Sequence, residues 1–291
     1  MTSTAIEPSR TRLQSGMIAI VATIVALSIV GAIGLWQGST LAVTVAGLPW
    51  TFVSAGVWLV YGVLLLSLFI RPARRAQLLG FAVVLALAWG GLAATDFAAR
   101  ANEAAGQIFA NTWATLDSSW ADVFAAPIIE ETLKMLGILL LIFLPAARRL
   151  GPSAGMAIGA FVAASFQVVE NEVYTLKGMF DAPDALFAAL IETFFIRGVV
   201  GVFSHVVYSA AIGAAIGWLI AGPRDQRLRR FAATIGVFLL MVVLHSWSNW
   251  TAHEEEPIMY LVTMVVGLIV LVVTFRFARS QEPTADVIPE T

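Results

Sequence analysis

Long apolar runs separated by short polar or basic segments set the pattern along this chain. An apolar run of about 20 residues predicts a membrane-spanning helix, because about 30 Å of hydrocarbon requires that length at 1.5 Å per residue. Eight such runs occur, at roughly 17–36, 49–70, 78–98, 123–144, 153–175, 198–221, 231–250 and 257–275. A further apolar segment, DALFAALIETFFIR at 184–197, either lies in the membrane interface or extends the sixth span. The runs are continuous, whereas strands of a membrane barrel alternate lipid-facing and lumen-facing residues. The expected fold is therefore an all-α, polytopic membrane bundle. One run departs from the pattern: FAAPIIEETLKMLGILLLIFLP carries Glu130, Glu131 and Lys134 inside a membrane-length helix.

Composition agrees with this picture. The 291 residues are 59% hydrophobic and 12% charged, with a mean hydropathy of +0.86, against about a quarter charged in a soluble domain. No soluble domain and no basic nucleic-acid face is apparent. Cysteine is absent, so disulfide and thiolate chemistry are excluded, and any metal must be held by His, Asp, Glu or Asn. The chain divides into a polar amino-terminal tail (1–16), one transmembrane domain (17–279) and a polar, Pro-containing tail (280–291) expected to be disordered. The first run is long for a signal-peptide core and no clear cleavage site follows, so it reads as a retained span.

Charge then orients the spans. Arg10 and Arg12 precede the first. Arg71, Arg74 and Arg75 follow the second, Arg148 and Arg149 the fourth, Arg224, Arg227, Arg229 and Arg230 the sixth, and Arg276 and Arg279 the eighth. With eight spans these all fall on one side, and the positive-inside rule makes both termini cytoplasmic. The opposite loops hold Arg100 and Lys177 with Glu103, Asp117, Asp181 and the acidic run HEEEP. Glycines at 151, 155 and 159, and at 213 and 217, form small-residue ridges suited to close helix packing. No internal repeat is visible, which argues against an inverted-repeat transporter.

Polar residues within the spans concentrate in the second half of the chain. Glu130, Glu131 and Lys134 lie on the fourth span, Glu170, Asn171 and Glu172 on the fifth, Arg197 and His205 on the sixth, and His245 and Asn249 on the seventh. Counting from the outer ends, Glu130, Glu170, His205 and His245 all lie about 8–10 Å deep. Each buried charge costs about 2.5–3.5 kcal/mol on insertion scales, so several at one level point to a shared site. Glu130 and Lys134 share a helix face at i,i+4, and Glu131 reaches Lys134 at i,i+3, which also allows a purely structural pair. We expect Glu130 to face the cavity. Arg197 and Glu172 lie near span ends, where facing headgroups or water is the plainer reading.

Two acids, two imidazoles, an amide and a lysine match the needs of peptide hydrolysis: an activated water, a base and donors for the oxyanion. One route binds Zn²⁺ through Glu170, His205 and His245, with Glu130 or Glu131 as base. The other is metal-free: a glutamate and a second polar group activate water, while His245 and Asn249 hold the oxyanion. Lys134, Asn171 and Arg197 take supporting places in both. A Ser204–His205 pair is disfavoured, because adjacent helix positions diverge by about 100°.

The same residues carry a resemblance. EETLK (Glu130, Glu131, Lys134), FQVVEN (Phe166, Glu170, Asn171), His205 and HSWSN (His245, Asn249) resemble the PrsW family of intramembrane proteases, within a wider group that holds the CAAX prenyl proteases and bacteriocin-immunity-type proteins. The resemblance covers about residues 123–250, expected to be the catalytic core. It implies a multi-pass protein of a bacterial-type cell membrane that cuts a membrane-bound anti-sigma factor on its outer side, usually described as metal-dependent. It also implies roles: Glu130 and Glu131 as base or ligand, Glu170 and His205 as ligands or water-activating groups, and His245 with Asn249 as ligand or oxyanion donors. CAAX relatives have His where this chain has Glu170, so their metal set does not transfer directly. Two other classes remain open: a non-catalytic membrane scaffold of the same fold, and a proton- or ion-coupled transporter built on membrane carboxylates.

Overall fold

The computed structural model describes residues 10–112, 120–144, 146–147, 149–254 and 257–281. Residues 1–9 and 282–291 of the polar tails, Asp117, Arg148, Glu255 and Glu256, and the side chains of Arg10, Arg12 and His253, lie outside the described residues. The described residues are almost all helical: α1 (Arg10–Ser67), α2 (Ile70–Ala76), α3 (Gly80–Ala88), α4 (Thr95–Thr112), α5 (Trp120–Ile142), α6 (Pro152–Asp181), α7 (Leu186–Thr193), α8 (His205–Ala221), α9 (Arg227–Glu254) and α10 (Pro257–Ser280). A π-helical turn, Trp89–Ala94, joins α3 to α4. A second, Phe194–Val199, and a 3-10 turn, Val200–Phe203, join α7 to α8.

Six helical stretches among the described residues are long and apolar enough to cross a membrane: Gln14–Ser67, Gly80–Thr112, Pro152–Asp181, Leu186–Ala221, Arg224–Ala252 and Ile258–Ser280. The protein is thus an integral, multi-pass membrane protein. The spans expected at 17–36 and 49–70 both fall within the first stretch, and 184–197 runs on into the sixth expected span. The span expected at 123–144 is α5, which is not among the six because Glu130, Glu131 and Lys134 interrupt its apolar run.

Helix α1 is broken at Gly47, whose φ of 77° and ψ of 154° are not helical, with Pro49 just beyond. A positive φ is open to glycine without a Cβ clash. Before the break, Gly31 lies against the backbone of Leu92 and Ala93, and Gly34 against the Asp96–Arg100 pair, so the chain runs alongside α3 and α4. After the break, Ser54 and Trp58 bond to Glu172 and Thr175 near the far end of α6, whereas Tyr61 bonds to Gln167 further back. Leu79 N–H donates to the Ala146 carbonyl at 2.8 Å, so α3 and α6 leave from the same end of the molecule. The two halves of α1 therefore run in opposite senses.

Helix α6 is the centre of the bundle. Of its most apolar window 78% is buried, against 17% for α10, whose exposed apolar side chains face outward. Its closest partner is α8. A Cβ on Gly155 would strike the Gly213 carbonyl, one on Gly159 the Ser209 carbonyl, and one on Gly217 the Gly151 carbonyl. The small-residue ridges thus bring the α6 and α8 backbones into contact and hold Glu170 and His205 at a fixed separation.

Candidate active site

Four helices deliver ionisable side chains to one buried point. Helix α5 supplies Glu130, Glu131 and Lys134, which are 3%, 0% and 0% exposed. Pro127 lies one turn earlier in α5. It has no N–H, so it leaves the Val123 carbonyl without the usual helical donor. Helix α6 supplies Glu170 and Asn171, α8 begins at His205, and α9 carries His245 and Asn249.

Glu131 is saturated with partners. Its Oε1 accepts from Lys134 Nζ at 2.6 Å and lies 3.1 Å from His245 Nδ1, and its Oε2 accepts from Ser209 Oγ at 3.1 Å. A carboxylate only accepts, so His245 presents Nδ1–H to Glu131 and leaves the Nε2 lone pair free. Lys134 Nζ also lies 3.0 Å from His205 Nδ1 and sits over the Phe166 ring. An ammonium has only donors, so His205 Nδ1 accepts and its Nε2–H points to Glu170 Oε2 at 3.2 Å. Glu170 in turn pairs with Arg197, whose Nε donates to Asn171 Oδ1 at 2.9 Å and whose guanidinium stacks on Tyr174.

Glu130 is different. Its Oε1 accepts from Asn102 Nδ2 at 3.0 Å, but its Oε2 is buried with no hydrogen-bond partner. That oxygen faces three nitrogens: His205 Nδ1 at 3.7 Å, His245 Nε2 at 3.7 Å and Lys134 Nζ at 3.8 Å. The two imidazoles meet edge-to-face with centroids 4.7 Å apart. Each is backed by a carboxylate on its far nitrogen, Glu170 for His205 and Glu131 for His245. Donor atoms of Glu130, His205 and His245 lie within 4.8 Å of one another, a group able to hold a metal ion. The wall they form opens on a cavity of about 220 Å³ also lined by Asn102, Asp122, Tyr174, Arg197 and Asn249.

The nine residues given a role from the sequence are all here, though not in equal positions. Glu170 stands behind His205 rather than beside Glu130. Asn249 lines the cavity while its Nδ2 donates to the Asp122 carbonyl at 2.7 Å, pinning α9 to the start of α5. Arg197 does not share one continuous helix with His205. The π-helical and 3-10 turns, and a non-helical Ser204 (φ −87°, ψ −106°), separate them, and they meet through Glu170 instead. Ser204 Oγ donates to the Gly201 carbonyl at 2.6 Å, a local cap. Glu172 lies off the site and accepts from Ser54 at 2.8 Å.

Two contributors escaped the sequence reading. Asn102 lies four residues beyond the expected end of the third span, on a helix that continues to Thr112. Its signal was the amphipathic run TDFAARANEAAG. Ser209 is one turn after His205 on α8, on the same face, and nothing in its neighbourhood sets it apart from a packing serine.

Comparison with protein families matches residues 81–275 to the PrsW family intramembrane metalloprotease. Comparison with curated proteins and with solved structures gives no match.

Proposed function

The chain belongs to the PrsW family, and from that premise we propose that it hydrolyses a peptide bond of a membrane-bound protein at the Glu130 cavity, near the extracytoplasmic face. One observation carries the reading: Glu130 Oε2 is buried, has no hydrogen bond, and faces two imidazoles and an ammonium across 3.7–3.8 Å at the cavity wall. Polar atoms separated by more than about 3.5 Å make no direct hydrogen bond and leave room for an intervening group. A water there would be polarised by the carboxylate and surrounded by nitrogens.

The residues fit a divalent ion. Two donors each about 2 Å from one ion at a tetrahedral angle stand about 3.4 Å apart, close to the spacing found here. Glu130, His205 and His245 would hold it, and Glu170 and Glu131 take the place of the outer carboxylates that orient metal-bound imidazoles. This makes Glu130, expected as a base, a ligand, and moves Glu170, expected as a ligand, to a place behind His205. Such an ion, Zn²⁺ being the leading choice, would acidify a bound water and polarise the scissile carbonyl. A specific contact favours the metal-free alternative: Lys134 Nζ already contacts His205 Nδ1 and supplies the positive charge itself. In that reading Glu130 Oε2 takes the proton of the attacking water, and His245 Nε2 relays it to the leaving amine. In both, Asn249, which lines the cavity, would offer its second amide hydrogen to the oxyanion, and Arg197 would fix Glu170.

The reading takes eight crossings, counting the halves of α1 separately and including α5, and the arginines that follow alternate spans favour cytoplasmic termini. The family resemblance supports a membrane-anchored anti-sigma factor as the substrate. The test is incubation of purified wild-type and Glu130→Gln protein with candidate membrane-anchored substrates. A cut made by the wild type and lowered about 10²–10⁴-fold in the variant is expected; equal cutting by both sinks the assignment. Metal analysis separates the two mechanisms. About one equivalent of ion, with activity lost on chelation and restored by Zn²⁺, supports the ligand role of Glu130. Full activity in protein shown to be metal-free supports Lys134 as the resident cation.

A further inference from the structure

Glu130 Oε2 is not alone in lacking a partner. Among the described residues, two more buried side-chain atoms beside the site make no hydrogen bond: Asn102 Oδ1 and Asn171 Nδ2. Each amide is oriented by what its other end touches. A carboxylate only accepts, so Asn102 turns Nδ2 to Glu130 Oε1 at 3.0 Å and leaves Oδ1, an acceptor, unused. A guanidinium only donates, so Asn171 turns Oδ1 to Arg197 Nε at 2.9 Å and leaves Nδ2, a donor, unused. Buried polar atoms are normally paired, and leaving one unpaired is costly.

The two amides stand at opposite edges of one imidazole. His205 Nδ1 faces Glu130, which Asn102 holds, and its Nε2 faces Glu170, which Arg197 ties to Asn171. The hollows follow the same line. Asn102 lines the cavity of about 220 Å³ with Glu130. Asn171 lines a narrower crevice of about 50 Å³ with Gly201 and Ser204 of the broken stretch before α8. Arg197, His205, His245 and Asn249 line both, so the two hollows adjoin across the imidazoles. An acceptor on one side and a donor on the other match the two polar groups of a peptide main chain. An intact helix cannot offer them, because its N–H and C=O groups are already bonded four residues apart. An extended stretch can, because each residue still has one donor and one acceptor to place.

Resting on Glu130 as the hydrolytic centre, we propose that Asn102 and Asn171 bind the substrate main chain on either side of the imidazoles. Asn102 Oδ1 accepts from a peptide N–H, and Asn171 Nδ2 donates to a peptide C=O. The substrate is therefore a locally unwound stretch of a membrane protein, and an intact membrane helix is not engaged.

Binding tests this without cleavage. The full chain in detergent carries Glu130→Gln throughout, which stops turnover and keeps an acceptor for Asn102. The probe is a fluorescent synthetic peptide, a leucine run flanked by lysines with four central glycines, compared with the same peptide bearing leucine there. Glycine lowers helix propensity, so only the first unwinds readily. By fluorescence anisotropy the glycine peptide should bind about tenfold tighter or more. Asn102→Leu and Asn171→Leu should each weaken it about three- to tenfold, the worth of one hydrogen bond. Gly236→Ala, at a position with open space around it, should not. Methylating the glycine nitrogens one at a time should weaken binding at one position, with no further loss there in Asn102→Leu. The methylated series needs only the Glu130→Gln protein, so an asparagine variant that fails to fold does not remove the test. No binding of the glycine peptide, equal binding of both peptides, unchanged binding in both asparagine variants, or no single methylation that weakens binding overturns the inference. If it is overturned while the wild type cuts a substrate that Glu130→Gln does not, the hydrolytic reading stands. The expected binding pattern without any such cutting keeps the main-chain site and removes the hydrolase.

Discussion

Lys134 is the residue on which the charges at the site balance. It is fully buried, contacts Glu131 and His205, and lies 3.8 Å from Glu130. Removing one partner of a buried pair leaves the other charge uncompensated, at about 3–5 kcal/mol. Lys134→Met should therefore destabilise the protein by about that amount. Pairing it with Glu131→Gln should restore part of the loss, because the amide needs no counter-ion. Unfolding titrations of Lys134→Met, Glu131→Gln and the double variant in detergent measure this, and a double variant no more stable than Lys134→Met would show that Glu131 is not its energetic partner. The division of labour between the two adjacent glutamates was legible in part from spacing alone, since i,i+3 and i,i+4 both reach Lys134. What spacing could not give is the third dimension: Ser209 and His245 saturate Glu131, and they come from helices 78 and 114 residues away.

At the scale of helices, hydropathy located the apolar runs but not where the helices stop. The third run ends near residue 98 because side chains become polar there, yet α4 continues to Thr112 and delivers Asn102 to Glu130. A helix ends where its backbone hydrogen bonds end, not where its surroundings turn polar. The π-helical and 3-10 turns before His205 were equally hidden, since FFIRGVVGVF is apolar and fits a regular helix as well as an irregular one. The glycine ridges, in contrast, were read correctly as packing features, and the structure gives their partners. Gly213 lies against the Gly155 carbonyl, with no flexible side chain to yield. Gly213→Val should force α6 and α8 apart, lower stability by about 1–3 kcal/mol or more and reduce cleavage by separating Glu170 from His205. Gly106→Ala, at a position with open space around it, is the matched control. Melting and activity that are unchanged in Gly213→Val would mean that the close approach is not what holds the site.

For the whole molecule, the decisive quantity is how many times the chain crosses the membrane, because that count fixes the side on which the Glu130 cavity opens. Length and apolarity alone give six stretches. The break at Gly47 makes the first a hairpin, and α5, despite its charges, packs against α9 through Asn249 and against α8 through Glu131 and Ser209. Its charges are compensated inside the bundle, which is how a helix too polar for lipid can still span. On the proposed count of eight crossings, Arg74 and Arg227 would lie on one side and the Gly47 turn and the α6–α7 link on the other. Because the chain has no cysteine, single introduced cysteines report this directly. Cysteines at Leu48 and Asp184, both exposed positions, should react with a membrane-impermeant thiol reagent in intact cells, and those at Arg74 and Arg227 only after permeabilisation. Protection of Leu48 together with labelling of Asp184 would mean that the first stretch does not cross twice, and the amino terminus would then lie on the other side. Labelling of Arg74 in intact cells would invert the whole arrangement and move the cavity to the cytoplasmic face, where an extracytoplasmic cut could not be made.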